Sequence, residues 1–487
     1  MDISCHINNE IHHNLENSCS NEVEEIVRES IRSEIRRNLC GDLQTHKHSD
    51  DNYYCIFHLP NKDKNIEEFR KASGKVITKI QNQIKQLNDL TDVKKESEKA
   101  KIKYDFRYVR FPCVFGLGNT VEIEADFSHA TFFNDAYFMK TEFLGYANFD
   151  SVSFHKLAYF IFAKFNADAY FFSTKFLGKA NFKYTFFSNG KFTKAMFSEI
   201  ADFESSEFVR HANFIEAIFV KEANFKQSKL FIANFRDAEF SNIVNFESAE
   251  FLNFVIFRGN NRNFVFNENA VLNLQNAMIE KPEKISFHTV RLEPSWFVDI
   301  DARKFVFTIC HWQYSDNEKI KLATELQKLR SQNIENPHKH LTKTCWQLAD
   351  NHEESKSYTT ASDFRKFAQE SYRQEDKNKV KVWSLQWWYW LSSNYGESPL
   401  KAAVVLGIII MIYAIGYYSA DFKISDIQVH LSFSQAILQS LATATFQNIE
   451  HIKPNSNTGV FLMVSEKIIV PLQAALLALA IRRKFMR

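Results

Sequence analysis

Eight polar residues stand within or beside the apolar C-terminal part of the chain. Seven have oxygen-bearing side chains of the kinds that bind or pass cations, and the eighth is a lysine. They are Thr443, Thr445, Gln447, Asn448, Glu450, Glu466, Lys467 and Gln473. An ionisable group at mid-bilayer costs about 2.5–3.5 kcal/mol on insertion scales, so such groups usually face protein or water. These residues are therefore candidates for lining a water-filled path. Glu466 and Lys467 are expected to be partly buried, and the alternative places both at the outer interface.

A second set of potential ligands is concentrated in the first 60 residues of the chain. It consists of Cys5, His6, His12, His13, Cys19, Cys40, His46, His48, Cys55 and His58. Zinc sites usually contain two close ligand pairs at fixed spacing, and only Cys55-Ile-Phe-His58 resembles one. We favour a buried apolar turn over CIFHLP, packed on the domain that follows, and zinc binding stays the alternative. No cofactor or resident metal is expected.

The composition excludes several classes of function. The formal charge is +2 with a pI near 8.0, which indicates neither a nucleic-acid binder nor an acidic mimic. No Ser/His/Asp set, phosphate-binding glycine loop or HExxH motif occurs, so no enzyme is expected. The 7 cysteines and the start MDISCHINNE, which lacks a signal-peptide pattern, indicate reduced thiols in the cytoplasm.

Two apolar segments must position the C-terminal candidates. The first covers about 398–418 and the second about 460–481, each near the length of about 20 residues that a bilayer requires. RRKFMR follows the second segment, and positive charge favours the cytoplasmic side. We expect a multi-pass inner-membrane protein with both termini in the cytoplasm. Before the first span, 381–397 is predicted to be an interfacial aromatic helix anchored by Trp383, Trp387, Trp388 and Trp390.

The segment between the spans contains FSQAILQSLATATF, predicted to be a short pore-helix-like element over 432–447. With its flanking spans, it resembles the two-helix pore unit of potassium-type channels. That resemblance implies an oligomer, because two spans cannot enclose a pore alone. In the family a Thr precedes a Gly-aromatic-Gly filter, whereas FQNIEH follows Thr445 here. A potassium-type carbonyl filter is therefore not expected.

Phenylalanine recurs through the middle of the chain with a period of eleven residues. The chain contains 48 Phe, and those from Phe149 to Phe187 are spaced alternately five and six apart. Right-handed coiled coils also have an eleven-residue period. However, Asn, Asp, Ser and Thr flank the Phe, and these are middling to poor helix formers. Extended chain explains the pattern better, with a small residue and the Phe two places later pointing inward.

The repeated AxF text, as in HANFIEAIFVKEANF, resembles the pentapeptide-repeat family. The resemblance implies a right-handed quadrilateral β-helix with six to seven coils between about 125 and 257, and with the sixth residue of alternate units absorbed at a corner. The layout from CIFHLP to LQAALLALAIRRKFMR also resembles bacterial pentapeptide-repeat membrane proteins. DNA mimicry, which occurs in some members, is not expected, because acidic and basic residues nearly cancel in this region.

These elements predict a mixed fold of a β-helix, flanking helices and a two-helix membrane hairpin. The predicted regions are a helical N-terminal cap at 1–120, the β-helix at 121–312 with an interruption near 259–284, a helical connector with one tetratricopeptide-like hairpin at 313–380, and the membrane region at 398–487. We expect a membrane-bound homo-oligomer that forms an ion-conducting or permeabilising pore. The alternative is a membrane-tethered scaffold with a cytosolic protein partner, and no nucleic acid is expected.

Overall fold

The computed structural model describes residues 45–47, 53–55, 57–59, 64–87, 99, 102–118, 120–260, 264–312, 322–375, 384–424, 427–447 and 452–485. The chain divides into two compact units. The first comprises Met1–Ile300 with Lys304–Lys319, and the second comprises Asp301–Arg303 with Ile320–Arg487. Residues 1–44 of the predicted helical N-terminal cap, with most of the N-terminal Cys and His residues, lie outside the described residues.

The first unit is a β-solenoid of about 9 turns, built from short parallel strands. Pairing partners on successive turns are 21 or 22 residues apart over most of its length, as in Lys175 with Met196 and Ala147 with Ala169. The longest row of strands comprises Tyr104–Asp105, Ala125–Asp126, Ala147–Asn148, Lys164–Tyr170, Phe186–Lys191, Glu207–Asn213, Lys229–Arg236, Val255–Arg258, Ile285–His288 and Val306–Thr308. Thr120–Val121, Glu142–Phe143, Glu250–Phe251 and Met278–Ile279 extend the same sheet.

Three further rows complete the turns. One comprises Arg110–Phe111, Thr131–Phe132, Ser153–Phe154, Lys175–Phe176, Met196–Phe197, Ile218–Phe219 and Glu239–Phe240. Another comprises Phe115–Gly116, Ala136–Tyr137, Ala158–Tyr159, Ala180–Asn181, Ala201–Asp202, Ala223–Asn224, Ile243–Asn245 and Val271–Asn273. The last is the pair Arg291–Leu292 and His311–Trp312. Two 3₁₀ helices, Pro282–Lys284 and Pro294–Phe297, interrupt the final turns.

The core of the solenoid consists of Phe rings stacked in ladders along its length. In one ladder the ring centroids of Phe149, Phe171, Phe192 and Phe214 follow one another at 5.0, 4.6 and 4.9 Å. These distances match the spacing of neighbouring strands, about 4.7–4.9 Å. Rings of adjacent ladders meet edge to face, as Phe149 and Phe160 do at 89°. The predicted inward Phe stack is confirmed.

The eleven-residue period has a backbone explanation. The residue two places after the Phe of each ANF-like unit has positive φ, as at Ser151, Ser173 and Ser205 with φ of 58°, 53° and 55°. In the same turn the Phe carbonyl accepts a hydrogen bond from the residue three places on, for example Val152 N to Phe149 O at 3.2 Å. Positive φ at the third position is the geometry of a type II-like turn, and it accommodates the sixth residue of alternate units.

The Asn or Asp inside each motif closes this turn. The side chain of Asn148 accepts a hydrogen bond of 3.0 Å from Asp150 N, and Asn224 does the same for Lys226 N at 3.1 Å. Asn and Asp side chains commonly bond the backbone two residues on. The motif therefore combines a small inward residue, a turn-closing amide or carboxylate and a core ring.

Strand pairing continues through part of the predicted interruption at 259–284. Val271–Asn273 pairs with Ile243–Asn245, and Met278–Ile279 pairs with Glu250–Phe251. The partners Asn245 and Asn273 are 28 residues apart, so this turn is longer than the regular one. The solenoid also begins at Tyr104 and continues to Trp312, which explains why it has more turns than the six to seven expected between 125 and 257.

A helix and a buried turn cover the first turn of the solenoid. Helix α1 (Ile66–Leu87) places Phe69 edge-on against Phe57 and Phe111, at centroid distances of 5.6 and 5.7 Å. Phe57 and Leu59 are buried, and Arg110 N donates to Phe57 O at 3.1 Å. The CIFHLP segment thus contributes core residues. Near it, Thr45–Lys47 and Tyr53–Cys55 form an antiparallel pair.

The second unit is mainly helical. Its helices are α2 (Leu322–Ser331), α3 (Pro337–Glu354), α4 (Tyr358–Gln374), α5 (Leu385–Ser393), α6 (Pro399–Ser419), α7 (Phe433–Ala444) and α8 (Asn457–Phe485). Helices α3 and α4 form the expected hairpin, with Leu341, Leu348, Ala361 and Phe364 buried. Both α6 and α8 are long and apolar enough to cross a membrane. The sequence did not predict the antiparallel sheet of Asp421–Ile424, Ile427–His430 and Ile452–Pro454.

Candidate functional site

The site lies where the two long apolar helices, α6 and α8, enclose the short helix α7. Pro399 occupies the first turn of α6, and the side chain of Ser398 accepts a hydrogen bond from Lys401 N at 3.3 Å. Helix α7 begins with a capping box formed by Ser432 and Gln435. Such caps satisfy backbone donors that a helix leaves free at its N terminus. The local sequence therefore sets where both helices start.

Glu466 occupies the centre of the site and is fully buried. Its Oε2 accepts a hydrogen bond of 2.5 Å from the hydroxyl of Tyr417 on α6, and its Oε1 accepts one from the hydroxyl of Ser440 on α7. The Ser440 hydroxyl also lies 3.2 Å from the carbonyl oxygen of Ile410. Among the described residues, no cation lies within ion-pairing distance of Glu466. Hydrogen bonds to neutral hydroxyls are thus what holds this carboxyl group in an apolar setting.

Helix α7 has one polar and one apolar face. Gln439, Ser440 and Thr443 are buried, and the amide of Gln439 lies 3.4 Å from the hydroxyl of Thr443. On the opposite side Leu438 and Leu441 are exposed. The polar face of α7 therefore points into the unit, and its apolar face points away from it.

Close packing of the long helices supports this arrangement. A Cβ added at Gly416 would lie 3.1 Å from Cδ1 of Leu462, so α6 and α8 approach closely at this glycine. Small residues permit such approaches between membrane helices. Beside this crossing, Tyr417, Phe422 and Leu431 belong to one buried cluster, in which the Tyr417 and Phe422 rings are 5.7 Å apart. The small antiparallel sheet thus covers the end of α6.

Gln473 makes a second polar connection between the helices. Its Nε2 donates to the carbonyl oxygens of Ser392 at 3.0 Å and Ala402 at 2.9 Å. Gln473 is buried, and its amide joins α8 to the end of α5 and the first turn of α6. A carbonyl in the first turn of α6 is already used within that helix, so this bond is an additional one rather than a cap. The contact fixes α8 against both neighbours.

An ionic cluster connects the end of α8 to the helical hairpin. Glu397, whose side chain is 2% exposed, accepts hydrogen bonds from Arg365 at 2.9 Å, Arg483 at 3.2 Å and Ser362 at 2.7 Å. Arg365 also pairs with Glu353 at 2.7 Å. A buried carboxylate shared by two guanidinium groups is well compensated, whereas removing one partner leaves buried charge. This cluster specifies where the last turns of α8 lie relative to α4.

The aromatic segment before α6 forms helix α5. Trp388 is 46% exposed, and its ring meets that of Trp387 edge to face at 5.0 Å. The ammonium group of Lys401 lies 4.5 Å from the ring centroid of Trp390 and donates to the Trp390 carbonyl at 2.8 Å. Arg373 approaches the same ring at 5.0 Å. Trp383 lies outside the described residues.

The structure separates the predicted pore-lining residues into two groups. Thr443, Glu466 and Gln473 are buried inside the unit. Thr445 and Gln447 are exposed just beyond α7, and Lys467 is half-buried. Asn448 and Glu450 lie outside the described residues.

Sequence reasoning missed the two partners of Glu466, namely Tyr417 and Ser440, and also missed the ionic cluster of Glu397, Arg365 and Arg483. Each has an unremarkable local context, so only the packing identifies it. One signal was present: a buried carboxyl group in an apolar helix requires donors from neighbouring elements.

The described residues contain no cluster of three or more His, Cys, Asp or Glu side chains that could hold a metal ion. His58 is buried beside Phe57 and Leu59, whereas the side chains of His46 and Cys55 and the remaining N-terminal histidines are outside the part that the structure describes. The zinc alternative therefore stays a hypothesis.

The chain was compared with models of protein families, with curated proteins and with solved structures. None of the three comparisons finds a match. The β-solenoid, the two apolar helices and the polar site between them are thus the observations on which a function must rest.

Proposed function

We propose that several copies of this chain assemble in a bacterial inner membrane into an ion-conducting or permeabilising pore. One observation carries the proposal: the short helix α7 packs between two membrane-length helices, with its polar face bound to Glu466 through Ser440. A re-entrant pore helix must be a short helix held between two spans, and here a buried carboxyl group holds α7 in such a place. Irregular backbone is tolerated at membrane depth where protein or a water-filled path surrounds it.

The exposed residues after α7 supply the path in this proposal. Thr445 and Gln447 follow the helix directly and are exposed, so they can border an axis shared by several copies. The hydroxyl of Thr445 donates to the carbonyl oxygen of Leu441 at 3.0 Å. The C-terminal end of a helix carries partial negative charge, which favours cations. No glycine follows Thr445 as far as His451, so the path is wide or weakly selective rather than a potassium-type filter.

The exposed apolar face of α7 supports an oligomer. Leu438 and Leu441 are 58% and 44% exposed in the single chain. If several copies surround a shared axis, contacts with neighbouring copies cover this apolar face, because two spans cannot enclose a path alone. The basic C-terminal sequence RRKFMR favours placing both termini in the cytoplasm, where the solenoid acts as sensor or assembly platform. No enzymatic reaction is part of the proposal.

Conductance measurements on the purified full chain in planar bilayers test this function. The oligomeric state is measured first by mass photometry in nanodiscs. We expect discrete currents from the parent protein and altered unitary conductance or open probability in Glu466→Gln, because α7 is held through that carboxyl group. Glu216→Gln is the matched control, since Glu216 lies in the solenoid and is half-exposed. A confirmed oligomer without currents would contradict the proposal.

A second candidate function is a membrane-tethered scaffold, and one surface feature favours it. The rings of Phe162 and Tyr184 stack at 4.7 Å on neighbouring turns, and each residue is 48% exposed. Exposed aromatic pairs are typical of protein-binding surfaces. In this function Phe162→Ser with Tyr184→Ser abolishes partner capture by the full chain, whereas Tyr418→Ser in α6 does not. Unchanged capture by the double variant would contradict the scaffold.

A further inference from the structure

Charged residues on the solenoid surface follow a pairing rule between neighbouring turns. Lysines face acidic residues one turn away at Lys183–Glu204 (2.6 Å), Lys226–Glu247 (3.0 Å) and Lys229–Glu250 (3.2 Å). Two more pairs are Lys191–Asp168 at 2.6 Å and Lys194–Glu216 at 3.6 Å. In a ladder with a strand spacing of about 4.8 Å, opposite charges stabilise and like charges directly opposite destabilise.

One column of the surface departs from this rule. Arg236 pairs in register with Arg258, and Arg258 pairs in register with His288. Two guanidinium groups and an imidazole therefore succeed one another on three consecutive turns. Both arginines are exposed and His288 is half-buried. We call Arg236, Arg258 and His288 the basic column.

The protein itself neutralises only part of this charge. Arg236 forms an ion pair with Asp237 at 3.4 Å. Arg258 makes no side-chain hydrogen bond or ion pair within the described residues. The carboxylate of Asp237 also accepts a hydrogen bond of 2.9 Å from Asn260 Nδ2, so Arg236 is not its sole hydrogen-bond donor. The Nδ1 atom of His288 lies 2.7 Å from the hydroxyl of Thr289, which leaves Nε2 available for a ligand.

The basic column lines a shallow groove that is widely open to solvent. Asp237, Gly259, Asn260 and Thr289 form the rest of its wall. Gly259 contributes no side chain, and its N–H donates to the carbonyl oxygen of His288 at 3.0 Å. A ligand in the groove can therefore approach the backbone closely while contacting the three basic groups.

We propose that this groove binds a phosphoryl group. A phosphomonoester presents three terminal oxygens and free phosphate presents four, so either can accept hydrogen bonds from both guanidinium groups and from Nε2 of His288 at once. A carboxylate has only two oxygens in one plane and suits a single guanidinium fork. The anion removes the repulsion between Arg236 and Arg258, which explains why like charges occupy neighbouring turns here. This site is independent of ion conduction by the C-terminal unit.

The test is titration of the full chain, in phosphatidylcholine nanodiscs, with inorganic phosphate by isothermal calorimetry at constant ionic strength. We expect saturable binding that chloride does not reproduce. Arg258→Gln and Arg236→Gln should each weaken the affinity at least tenfold. Arg210→Gln is the matched control, because Arg210 is an exposed arginine outside the groove, and it should leave the affinity within twofold. Circular dichroism of each variant checks that the solenoid remains folded.

A second arm identifies the source of the phosphoryl group. Discs with phosphatidic acid are compared with discs of equal charge that contain phosphatidylglycerol, a phosphodiester. If the natural ligand is a phosphomonoester headgroup, phosphatidic acid weakens the apparent phosphate affinity and phosphatidylglycerol does not. Equal affinities in the two discs indicate a soluble phosphorylated ligand. Absence of phosphate binding in every disc, or equal losses in Arg210→Gln and Arg258→Gln, would overturn the proposal.

Discussion

The hydroxyl group of Tyr417 lies 2.5 Å from Oε2 of Glu466, so the first long apolar helix donates a hydrogen bond to the acidic residue of the second. Because Ser440 of α7 bonds the other carboxyl oxygen, three helices meet at one side chain. Leaving a buried polar group without a hydrogen-bond partner costs more free energy of folding than one such hydrogen bond contributes. The position of α7 therefore depends on this carboxyl group being satisfied from both sides.

Tyr417→Phe should destabilise the packing of the apolar helices by about 1–2 kcal/mol, because Glu466 Oε2 loses its donor while the ring remains. The midpoint of unfolding in a denaturing-detergent titration measures the loss. Tyr418→Phe is the control, since Tyr418 is exposed and contacts Phe433 only through its ring. Equal midpoints for the two variants would show that the Tyr417–Glu466 bond contributes no stability.

Phe192→Ala should destabilise the solenoid by about 3–5 kcal/mol, because it leaves a ring-sized cavity between Phe171 and Phe214. Hydrogen exchange of the strand amides measures the change, with the largest loss of protection on the turns next to the cavity. Phe172→Ala, at an exposed position one residue beyond the ladder, should cost less than about 1 kcal/mol. Similar losses in both variants would contradict a core supported by stacked rings.

Ser205→Val should destabilise the solenoid by about 1–2 kcal/mol, because φ at this position is 55° and a β-branched side chain fits the left-handed region poorly. Ser205→Gly should be neutral or stabilising, since glycine adopts positive φ freely and keeps the Ser205 N to Lys226 O bond. Thermal unfolding distinguishes them, with Ser198→Val on a neighbouring strand end as control. A larger cost for Gly than for Val would contradict the turn geometry.

Stability of the α3–α4 hairpin should fall in mild acid because of His352. Burial lowers the pKa of this imidazole from 6.5 to about 4, and its ring stacks on Phe364 at 5.5 Å. The unfolded chain therefore binds a proton more readily than the folded one between these pH values. The free energy of unfolding should decrease by about 3 kcal/mol in total as pH falls from about 6.5 to about 4. Above pH 6.5, His352 should cause no further change in the free energy of unfolding.

His352→Gln should flatten this part of the pH profile, as measured by chemical unfolding at several pH values. The exposed His311→Gln should leave the slope unchanged. If His352→Gln retains the full slope, the acid sensitivity has another origin.

The fold could be predicted where a local pattern repeats. The eleven-residue Phe period predicted an inward column and an extra residue in alternate units, and the structure shows stacked rings and one positive-φ residue in each eleven-residue repeat. Such periodicity is readable from sequence because each turn contacts only its neighbours at fixed separation. The helix Ile66–Leu87 was also predictable from a local pattern, because its apolar residues recur at helical spacing. The two long apolar helices were predictable because their apolar residues form nearly continuous runs.

By itself, then, the sequence determined the solenoid, its flanking helices and the two membrane-length segments. Only the tertiary structure decided which polar groups meet. Tyr417, Ser440 and Glu466 lie on three different helices, and Arg236, Arg258 and His288 lie on three different turns. In the solenoid, insertions between repeats change which residues stand in register. In the helical unit, partners 26 and 49 residues apart become neighbours only through packing, which leaves no periodic trace in the sequence.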